Sequence, residues 1–383
     1  MIPYGKQNIS EQDINAVIDV LKSDYLTQGP VLPKFENAVA KTCGADFGIA
    51  TNSATSALHI ACLALGVGEN SLVWTSAISF VASSNCALYC RSKVDFVDID
   101  PDTINITPET LNKKIQFNLK NKLPLPNVVI VVHMAGQSCD MAGIRSLSKK
   151  YNFSIIEDAS HGIGGQYKGK PVGSCEYSDI TIFSFHPVKI ITTGEGGIAL
   201  TNSQNLAEKM TLYRSHGVTR DTSKLTANEG PWYYEQIELG FNYRMTEIQA
   251  ALGLSQLESL ENFVGQRNII SKRYDSLLRS KKIVLPVTCD YAQPSWHLYI
   301  IQLSVTQLNR ENIFTLMRNK GLGVNVHYRP IYLNPYYQSL GFEKGLCPNA
   351  EAYYASCISL PLYHGMSESE QDTVIEVVNE VCA

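Results

Sequence analysis

The stretch SFHPVKIITTGEGG, residues 184–197, decides the fold. It indicates the end of a buried strand, a turn fixed by Pro187, the lysine Lys189, and a Gly/Thr-rich loop that opens another strand. Partial burial lowers the pKa of a lysine and makes its amine nucleophilic, and Schiff-base chemistry with an aldehyde needs both properties. An ordinary exposed loop lysine is the alternative, and the stretches upstream decide between the two.

Strands and helices alternate on both sides of this stretch. We predict strands at 47–51, 72–74, 94–97, 128–133, 154–157, 180–185 and 198–201, with helices between several of them. Continuous Val/Ile runs bounded by turns are typical of strands buried on both faces. The sequence therefore predicts an α/β fold with a mostly parallel seven-stranded sheet. Ligands of such sheets bind beyond the carboxyl ends of the strands, where Thr55, Asp158 and Ser184 lie.

The chain of 383 residues is long enough for roughly two or three domains. Residues 1–245 are predicted to form a large domain with an N-terminal arm. A long helix at 245–279 then links it to a small C-terminal α/β domain, so that the second unit is 246–383. In that unit we predict strands at 298–305 and 324–329 and a terminal helix at 368–381.

Composition narrows the class of protein. The apolar fraction is 44%, the charged fraction is 18% and the formal net charge is −4, which is typical of a globular enzyme and argues against nucleic acid as a partner. The N-terminal residues contain no apolar core of signal-peptide length, and apolar runs such as 128–132 are far too short to cross a membrane. The ten cysteines are scattered without a Cys-x-x-Cys pair, which favours reduced thiols in a cytoplasmic protein over disulfides or a metal site.

The segment TNSATSAL, residues 51–58, is a strand followed by small hydroxyl residues and an apolar-periodic helix. Free backbone N–H groups and the helix dipole at such a start form an anion site. Ala54 and Thr55 would face a bound phosphate. A plain Ser/Thr N-cap is the alternative interpretation.

The segment SIIEDASHG runs from buried apolar residues directly into two acids. An aspartate at such a strand end is costly unless it has a partner. The ring N–H of a pyridinium would satisfy Asp158, and the ion pair would keep that ring able to accept electrons. A cap of the following turn is the alternative for Asp158. His161 could pack over the same ligand or be structural.

Phe80 lies in TSAISFVASSN, just after another strand end. An aromatic side chain at this place could stack on a flat ring. Core packing is the alternative, as it is for any single phenylalanine.

Taken together, the motifs resemble those of the DegT/DnrJ/EryC1/StrS family of pyridoxal phosphate (PLP)-dependent sugar aminotransferases, over nearly the whole chain. The motifs that carry this resemblance are SDYLTQGP, TNSATSAL, TSAISFVA, IIEDASHG, SFHPVKIITTGEGG, RSHG, GFNYRMTEIQAALG and VHYRPIY. Each motif is weak by itself, whereas the set is specific. The resemblance implies the type I aminotransferase fold and a homodimer with shared active sites.

The resemblance also implies roles for individual residues. Lys189 would be the Schiff-base lysine, and Asp158 would pair with the pyridine nitrogen. The remaining implied cofactor contacts are Phe80 stacked on the ring, His161 nearby, Ala54, Thr55 and Ser184 at the phosphate, and Asn242 at the phosphate of the other subunit's cofactor. The cofactor would alternate between PLP and pyridoxamine phosphate.

Within the family, IPYGKQ, DYLTQG, HMAGQS, RSHGVTRD and VHYRPIYLNPYY are most similar to one branch. That branch transfers an amino group from L-glutamate to a UDP-linked 4-keto sugar on the way to pseudaminic acid. The residues implied to contact the nucleotide sugar are Tyr4, Asp24, Tyr25, Leu26, Thr27, His327, Tyr328 and Arg329. Arg329 stands where a lysine is common in that branch, and its guanidinium fork could meet a phosphate or a carboxylate.

Other functions stay open from the sequence. The same chemistry on a dTDP- or GDP-linked 4-keto sugar is the nearest alternative. Family members that dehydrate sugars at C3 carry histidine in place of the lysine, and Lys189 argues against that activity. A non-catalytic PLP or sugar sensor predicts a lost lysine or aspartate, and an aminotransferase of free amino acids would not explain the aromatic and polar segments around Tyr233 and Tyr328.

Overall fold

The protein is described here by a computed structural model, which covers residues 1–227, 229–304 and 308–383. In chain order the strands are β1 (Ile2–Pro3), β2 (Phe47–Thr51), β3 (Leu72–Ser76), β4 (Lys93–Val97), β5 (Val128–Val132), β6 (Ser154–Asp158), β7 (Gln166–Tyr167), β8 (Lys170–Pro171), β9 (Ile180–Ser184), β10 (Gly197–Thr201), β11 (Val218–Thr219), β12 (Glu235–Gln236), β13 (Ile283–Val284), β14 (Ala292–Gln293), β15 (Tyr299–Leu303), β16 (Leu322–Gly323) and β17 (Cys357–Leu360).

The helices are also numbered in chain order. They are α1 (Glu11–Leu21), α2 (Val31–Cys43), α3 (Ala54–Ala64), α4 (Ala82–Tyr89), α5 (Pro108–Lys120), α6 (Met141–Tyr151), α7 (Gln204–Arg214), α8 (Glu247–Glu258), α9 (Leu260–Leu277), α10 (Arg310–Asn319), α11 (Pro335–Ser339), α12 (Pro348–Ser356) and α13 (Glu368–Val381). Short 3-10 turns occur at Met134–Gly136 and Ile331–Leu333.

A seven-stranded sheet forms the centre of the molecule, in the order β2-β10-β9-β6-β5-β3-β4. β10 runs antiparallel to both of its neighbours, and the pairs from β9 to β4 are parallel. Strand β5, with the sequence VVIVV, is buried along its whole length, as expected for a strand covered by helices on both faces. The predicted α/β class with a mostly parallel seven-stranded sheet is confirmed.

Helix ends follow local capping chemistry. Ser10 caps α1 with a capping box, in which its Oγ accepts from the Asp13 N–H and the Asp13 carboxylate accepts from the Ser10 N–H. Ser367 and Glu370 form the same reciprocal pair at the start of α13. Two orphan N–H groups are satisfied in each case, which fixes where these helices begin.

The predicted single helix at 245–279 is wrong, because the chain bends at Ser259 between α8 and α9. The two helices have different packing partners. Helix α8 packs against α1 and α2, whereas α9 packs against α13. One straight helix could not satisfy both contacts.

The predicted strand at 324–329 is also wrong. The pairing stops after β16, which lies parallel to β1 of the N-terminal arm. Asn325 makes an isolated β-bridge to Ser359. The Asn325 side chain accepts a hydrogen bond from the Val326 N–H at 2.8 Å, and Pro330 has no N–H to donate to a neighbouring strand. The predicted strand at 298–305 is shorter than expected, with Val305 outside the described residues.

A second core lies between the antiparallel sheet β13-β15-β17 and helices α9, α10 and α13. The division of the chain at 245/246 stays a prediction. In the part of the chain that the structure describes, we find no helix with the length and apolarity needed to cross a bilayer.

Candidate active site

A cavity of about 450 Å³ opens at the carboxyl ends of β6 and β9. It brings together predicted site residues from distant segments, namely Tyr4, Ala54, Thr55, Phe80, Asp158, His161, Ser184, Lys189, His327 and Tyr328. A larger groove of about 780 Å³ runs along α9. Its described lining includes none of the predicted site residues, so the smaller cavity is the candidate active site.

Lys189 is held in the cavity by a tight turn. Its N–H donates to the His186 carbonyl at 2.9 Å, and the loop closes where Phe185 accepts from the Thr193 N–H and donates to the Gly196 carbonyl. Burial lowers the pKa of Lys189 to about 8, although the nearby Asp158 charge opposes that shift. Roughly one amine in ten is then neutral at pH 7, which provides a nucleophile.

The N-terminus of α3 faces the same cavity. Ser53 caps the helix, and its Oγ accepts from the Ser56 N–H at 3.1 Å. The N–H groups of Ala54 and Thr55 have no hydrogen-bond partner within the described residues. These two donors, together with the positive end of the helix dipole, form an anion site.

Gly197 allows this helix start to approach the central sheet. A Cβ atom at residue 197 would lie 2.4 Å from the Ala54 nitrogen, a distance that side chains do not tolerate. Residue 197 also pairs with Ser184 across β9 and β10. The glycine therefore places Ser184 beside the free N–H groups of α3.

Asp158 ends β6 and is 5% exposed. Its Oδ2 accepts from Ser83 Oγ at 2.5 Å, and its Oδ1 accepts from Ser160 Oγ at 2.6 Å and from the Ser160 N–H at 3.2 Å. Asp158 also lies close enough to Lys189 to raise that pKa. The amine and the carboxylate therefore line one cavity and do not point into separate ones.

Three imidazoles surround the lysine. Burial and the Lys189 charge lower the pKa values of His161 and His297, and the same two causes lower the pKa of His327 to about 4. These histidines are therefore neutral near pH 7. Tyr328 stacks on His161 with its hydroxyl 3.4 Å from Nε2, and burial raises the pKa of this phenol. Lys189 is thus surrounded by neutral rings.

Phe80 is 60% exposed at the cavity mouth, with its ring centroid 6.3 Å from that of Tyr328. The core-packing alternative is therefore wrong for this residue. An exposed aromatic ring beside the cavity is available to stack on a ligand.

Several predicted residues lie outside the cavity of this chain. Asp24, Tyr25, Leu26 and Thr27 belong to an exposed loop, which is anchored where the Leu26 carbonyl accepts from the Glu247 N–H at 3.0 Å. Asn242 is exposed. Arg329 is exposed and donates from Nη2 to the Leu333 carbonyl at 2.7 Å. The predicted roles of these residues stay predictions.

The sequence did not reveal two kinds of lining residue. His297 reaches the cavity from the segment before β15, with its ring centroid 4.4 Å from that of His161. Ser79 lines the cavity from the segment before α4 and is hydrogen-bonded to Ser83 of α4, which in turn bonds to Asp158. Ser79 precedes the helix, so helical periodicity in the sequence gives no signal for this pair.

Comparison with known proteins identifies the family. The DegT/DnrJ/EryC1/StrS aminotransferase family matches residues 7–379. The chain belongs to this family. The predicted resemblance is thereby confirmed.

Relatives extend over essentially the whole chain. It is 37% identical over 387 residues to the UDP-4-amino-4,6-dideoxy-N-acetyl-β-L-altrosamine transaminase of Campylobacter jejuni, covering 100% of this chain and 98% of the relative. An uncharacterized protein of Methanocaldococcus jannaschii is 38% identical over 384 residues, which cover 99% of this chain and 96% of the relative. The spore coat polysaccharide biosynthesis protein SpsC of Bacillus subtilis is 34% identical over 385 residues, which cover 99% of this chain and 97% of the relative.

Solved structures share the fold. The aminotransferase PseC of Helicobacter pylori, which is involved in the biosynthesis of pseudaminic acid, superimposes with a TM-score of 0.88 at 31% identity, covering 99% of this chain and 98% of PseC. The pyridoxamine phosphate (PMP) form of a sugar aminotransferase from Streptococcus pneumoniae gives a TM-score of 0.90 at 29% identity, covering 100% of this chain and 99% of that structure. The fold is therefore that of the aminotransferases.

The lining of the cavity fits PLP. It offers a partly neutral amine for an aldehyde, two free N–H groups for a phosphate, and a buried carboxylate for a ring nitrogen. Family membership and the PLP and PMP forms of the structural neighbour agree with this donor set. The protein is a PLP-dependent transaminase.

Proposed function

We propose that the protein transfers an amino group from L-glutamate to C4 of a UDP-linked 4-keto-6-deoxy-N-acetyl sugar. The substrate would be UDP-2-acetamido-2,6-dideoxy-β-L-arabino-hex-4-ulose. The product would be UDP-4-amino-4,6-dideoxy-N-acetyl-β-L-altrosamine, a precursor of pseudaminic acid. The observation that carries the proposal is that Lys189 and Asp158 line one cavity beside a free helix N-terminus. The named C. jejuni and H. pylori relatives support the choice of sugar.

Five groups would hold the cofactor. Lys189 would bind its aldehyde carbon, Asp158 would accept from its ring N–H, and the Ala54 and Thr55 N–H groups with Ser184 would hold its phosphate. Phe80 and His161 lie beside the same cavity and would cover the two sides of the ring. When bound, PLP supplies an electron sink and carries the amino group between donor and acceptor.

Lys189 would act as the proton carrier in both halves of the reaction. Its Nζ would move a proton from the α-carbon of glutamate to the aldehyde carbon of the cofactor in the first half, and from that carbon to C4 of the sugar in the second. A general base works best when its pKa lies near the operating pH, and the Lys189 pKa of about 8 meets this condition. The neutral rings of His161, His297 and His327 exclude water around the amine without adding a competing charge.

The sugar would enter past Tyr4, His327 and Tyr328, which line the cavity. The exposed loop with Asp24, Tyr25, Leu26 and Thr27, and the exposed Arg329, would bind the nucleotide part. We place the protein in a homodimer, in which Asn242 reaches the partner's cofactor phosphate. The ten free cysteines suit a reducing compartment, so we place the reaction in the cytoplasm.

Another nucleotide-linked 4-keto sugar is the second candidate. The similarity to SpsC, which is named for spore coat polysaccharide biosynthesis, favours it. The chemistry at Lys189 and Asp158 would be the same, and the difference would lie in the groups that meet the sugar and the base.

The test is to incubate the purified, PLP-loaded protein with L-glutamate and a panel of UDP-, dTDP- and GDP-linked 4-keto sugars. We expect 2-oxoglutarate and an aminated UDP sugar whose NMR couplings identify the altro configuration. If a dTDP- or GDP-linked sugar is aminated faster than the UDP-linked sugar, the second candidate replaces the first. Absence of any glutamate-dependent product would contradict both.

A further inference from the structure

Two serine hydroxyls form a chain that ends on Asp158. Ser79 Oγ lies 2.6 Å from Ser83 Oγ, and Ser83 Oγ lies 2.5 Å from Asp158 Oδ2. Ser79 is 4% exposed and lines the cavity, whereas Ser83 is fully buried. The chain therefore runs from the cavity wall inward to the carboxylate.

The direction of both hydrogen bonds follows from the number of protons. An ionised carboxylate accepts and does not donate, so the single Ser83 proton goes to Asp158. Ser83 Oγ can then only accept from Ser79, which uses the single Ser79 proton. Ser79 Oγ is left with lone pairs toward the cavity, and hydrogen bonds aligned in this way strengthen one another.

The other carboxylate oxygen is fixed independently. Oδ1 accepts from the Ser160 hydroxyl and from the Ser160 N–H. Donors on both oxygens hold the plane of the carboxyl group and oppose its rotation. The remaining acceptor capacity of the carboxylate is free for a group in the cavity, which Asp158 also lines.

We propose that Ser83 is the positioning residue for Asp158, with Ser79 as the outer member of the chain. Ser83 sets the carboxylate orientation at which Asp158 receives the ring N–H of the cofactor. The proposal rests on the role of Asp158 in the proposed function and goes beyond it, because neither serine belongs to the site predicted from the sequence.

The test compares Ser83→Ala with Ser84→Ala in the full-length protein. Ser84 is the next residue of α4, is also fully buried, and bonds to the Val81 carbonyl at 3.1 Å and to the Tyr337 hydroxyl, away from Asp158. The readouts are the dissociation constant of PLP and the single-turnover rate of the glutamate half-reaction, which needs no sugar. Circular dichroism checks that each variant folds.

We expect Ser83→Ala to slow the half-reaction about 10-fold to 100-fold, the loss that follows from one hydrogen bond to a charged group. PLP binding should weaken in parallel. Ser79→Ala should give a smaller loss, Ser83→Thr should recover most of the rate, and Ser84→Ala should stay within about 2-fold of the unmodified protein.

A double-mutant cycle separates positioning from a general structural role. If Ser83 acts through Asp158, Ser83→Ala should change nothing further in an Asp158→Asn protein. Equal losses in both backgrounds, or an equal loss in Ser84→Ala, would overturn the proposal. A wrong sugar assignment leaves this test untouched, whereas an unaffected Asp158→Asn half-reaction would overturn the role of Asp158 and this proposal with it.

Discussion

The inner wall of the cavity, which we propose holds the cofactor, and the mouth of the cavity are built in different ways. The wall, which we define as Ala54, Thr55, Asp158, Ser184 and Lys189, comes from strand ends and one helix start of a single central sheet. The mouth is assembled from the N-terminal arm, the exposed Phe80 and the C-terminal segment with His327 and Tyr328. The loop at 24–27 and Arg329, which we propose bind the nucleotide, lie outside the cavity.

This difference predicts that the sugar half-reaction can fail while the glutamate half-reaction continues. Changes in the wall should reduce PLP binding and both half-reactions. Changes at residues that meet only the nucleotide sugar should reduce the sugar half-reaction alone. The predictions below are ordered from the largest expected effect to the smallest.

Asp158→Asn should lower the rate of the glutamate half-reaction by about 100-fold or more, the usual cost of a lost electrostatic partner at a reacting centre. The amide keeps the shape of the side chain but lacks the charge that a protonated ring nitrogen needs. Stopped-flow absorbance of the PLP-loaded protein measures the rate. A half-reaction of unmodified speed would remove Asp158 from the cofactor wall.

The rate at which PLP loads onto the cofactor-free protein should rise about 10-fold between about pH 7 and pH 9, because the neutral fraction of Lys189 rises through a pKa of about 8. Burial lowers this pKa and the Asp158 charge raises it. Asp158→Asn should therefore move the midpoint of the loading rate's pH profile to lower pH. His161, His297 and His327 also face the amine, and their lowered pKa values keep them neutral over this range. A midpoint that moves upward would contradict the assigned contact.

Gly197→Ala should raise the dissociation constant of PLP roughly 10-fold, because relieving the steric overlap costs a free energy of about 1–3 kcal/mol. The added Cβ would lie 2.4 Å from the Ala54 nitrogen and push the start of α3 away. Gly265→Ala is the matched control, because a Cβ there meets nothing within 4 Å. Equal PLP affinities in the two variants would show that the start of α3 does not hold the phosphate.

Tyr25→Ala should raise the KM for the nucleotide sugar roughly 5-fold, about the worth of one lost hydrogen bond, and leave the glutamate half-reaction unchanged. Tyr25 is 55% exposed in the loop that the Leu26 carbonyl anchors. Phe117→Ala, at an aromatic residue of α5 that is 60% exposed, is the control. A slower glutamate half-reaction in Tyr25→Ala would contradict the proposal that this loop meets only the nucleotide sugar.

The sequence predicts the wall better than the mouth for a physical reason. Strands such as β5 and β9 are runs of β-branched residues that end at turn residues, so their ends could be located to within a residue or two. In a parallel sheet these ends meet at one edge, which places Asp158, Ser184 and Lys189 together before any contact is known.

Tertiary contacts decide the features that the sequence did not reveal. The apolar spacing of the predicted helix at 245–279 continues through Ser259, and the bend arises because α8 and α9 pack on different neighbours. His297 and Ser83 are ordinary residues in their own segments. They become part of the site because the fold brings them to His161 and Asp158.

The central claim is that the Lys189 amine binds the cofactor aldehyde, and covalent trapping tests it most directly. The PLP-loaded protein is reduced with borohydride, digested and examined by mass spectrometry, with Lys189→Ala as the control. We predict one phosphopyridoxyl group on the peptide that contains Lys189 and none in the control. A label on another lysine, or an unlabelled Lys189 in a protein that transaminates, would contradict the claim.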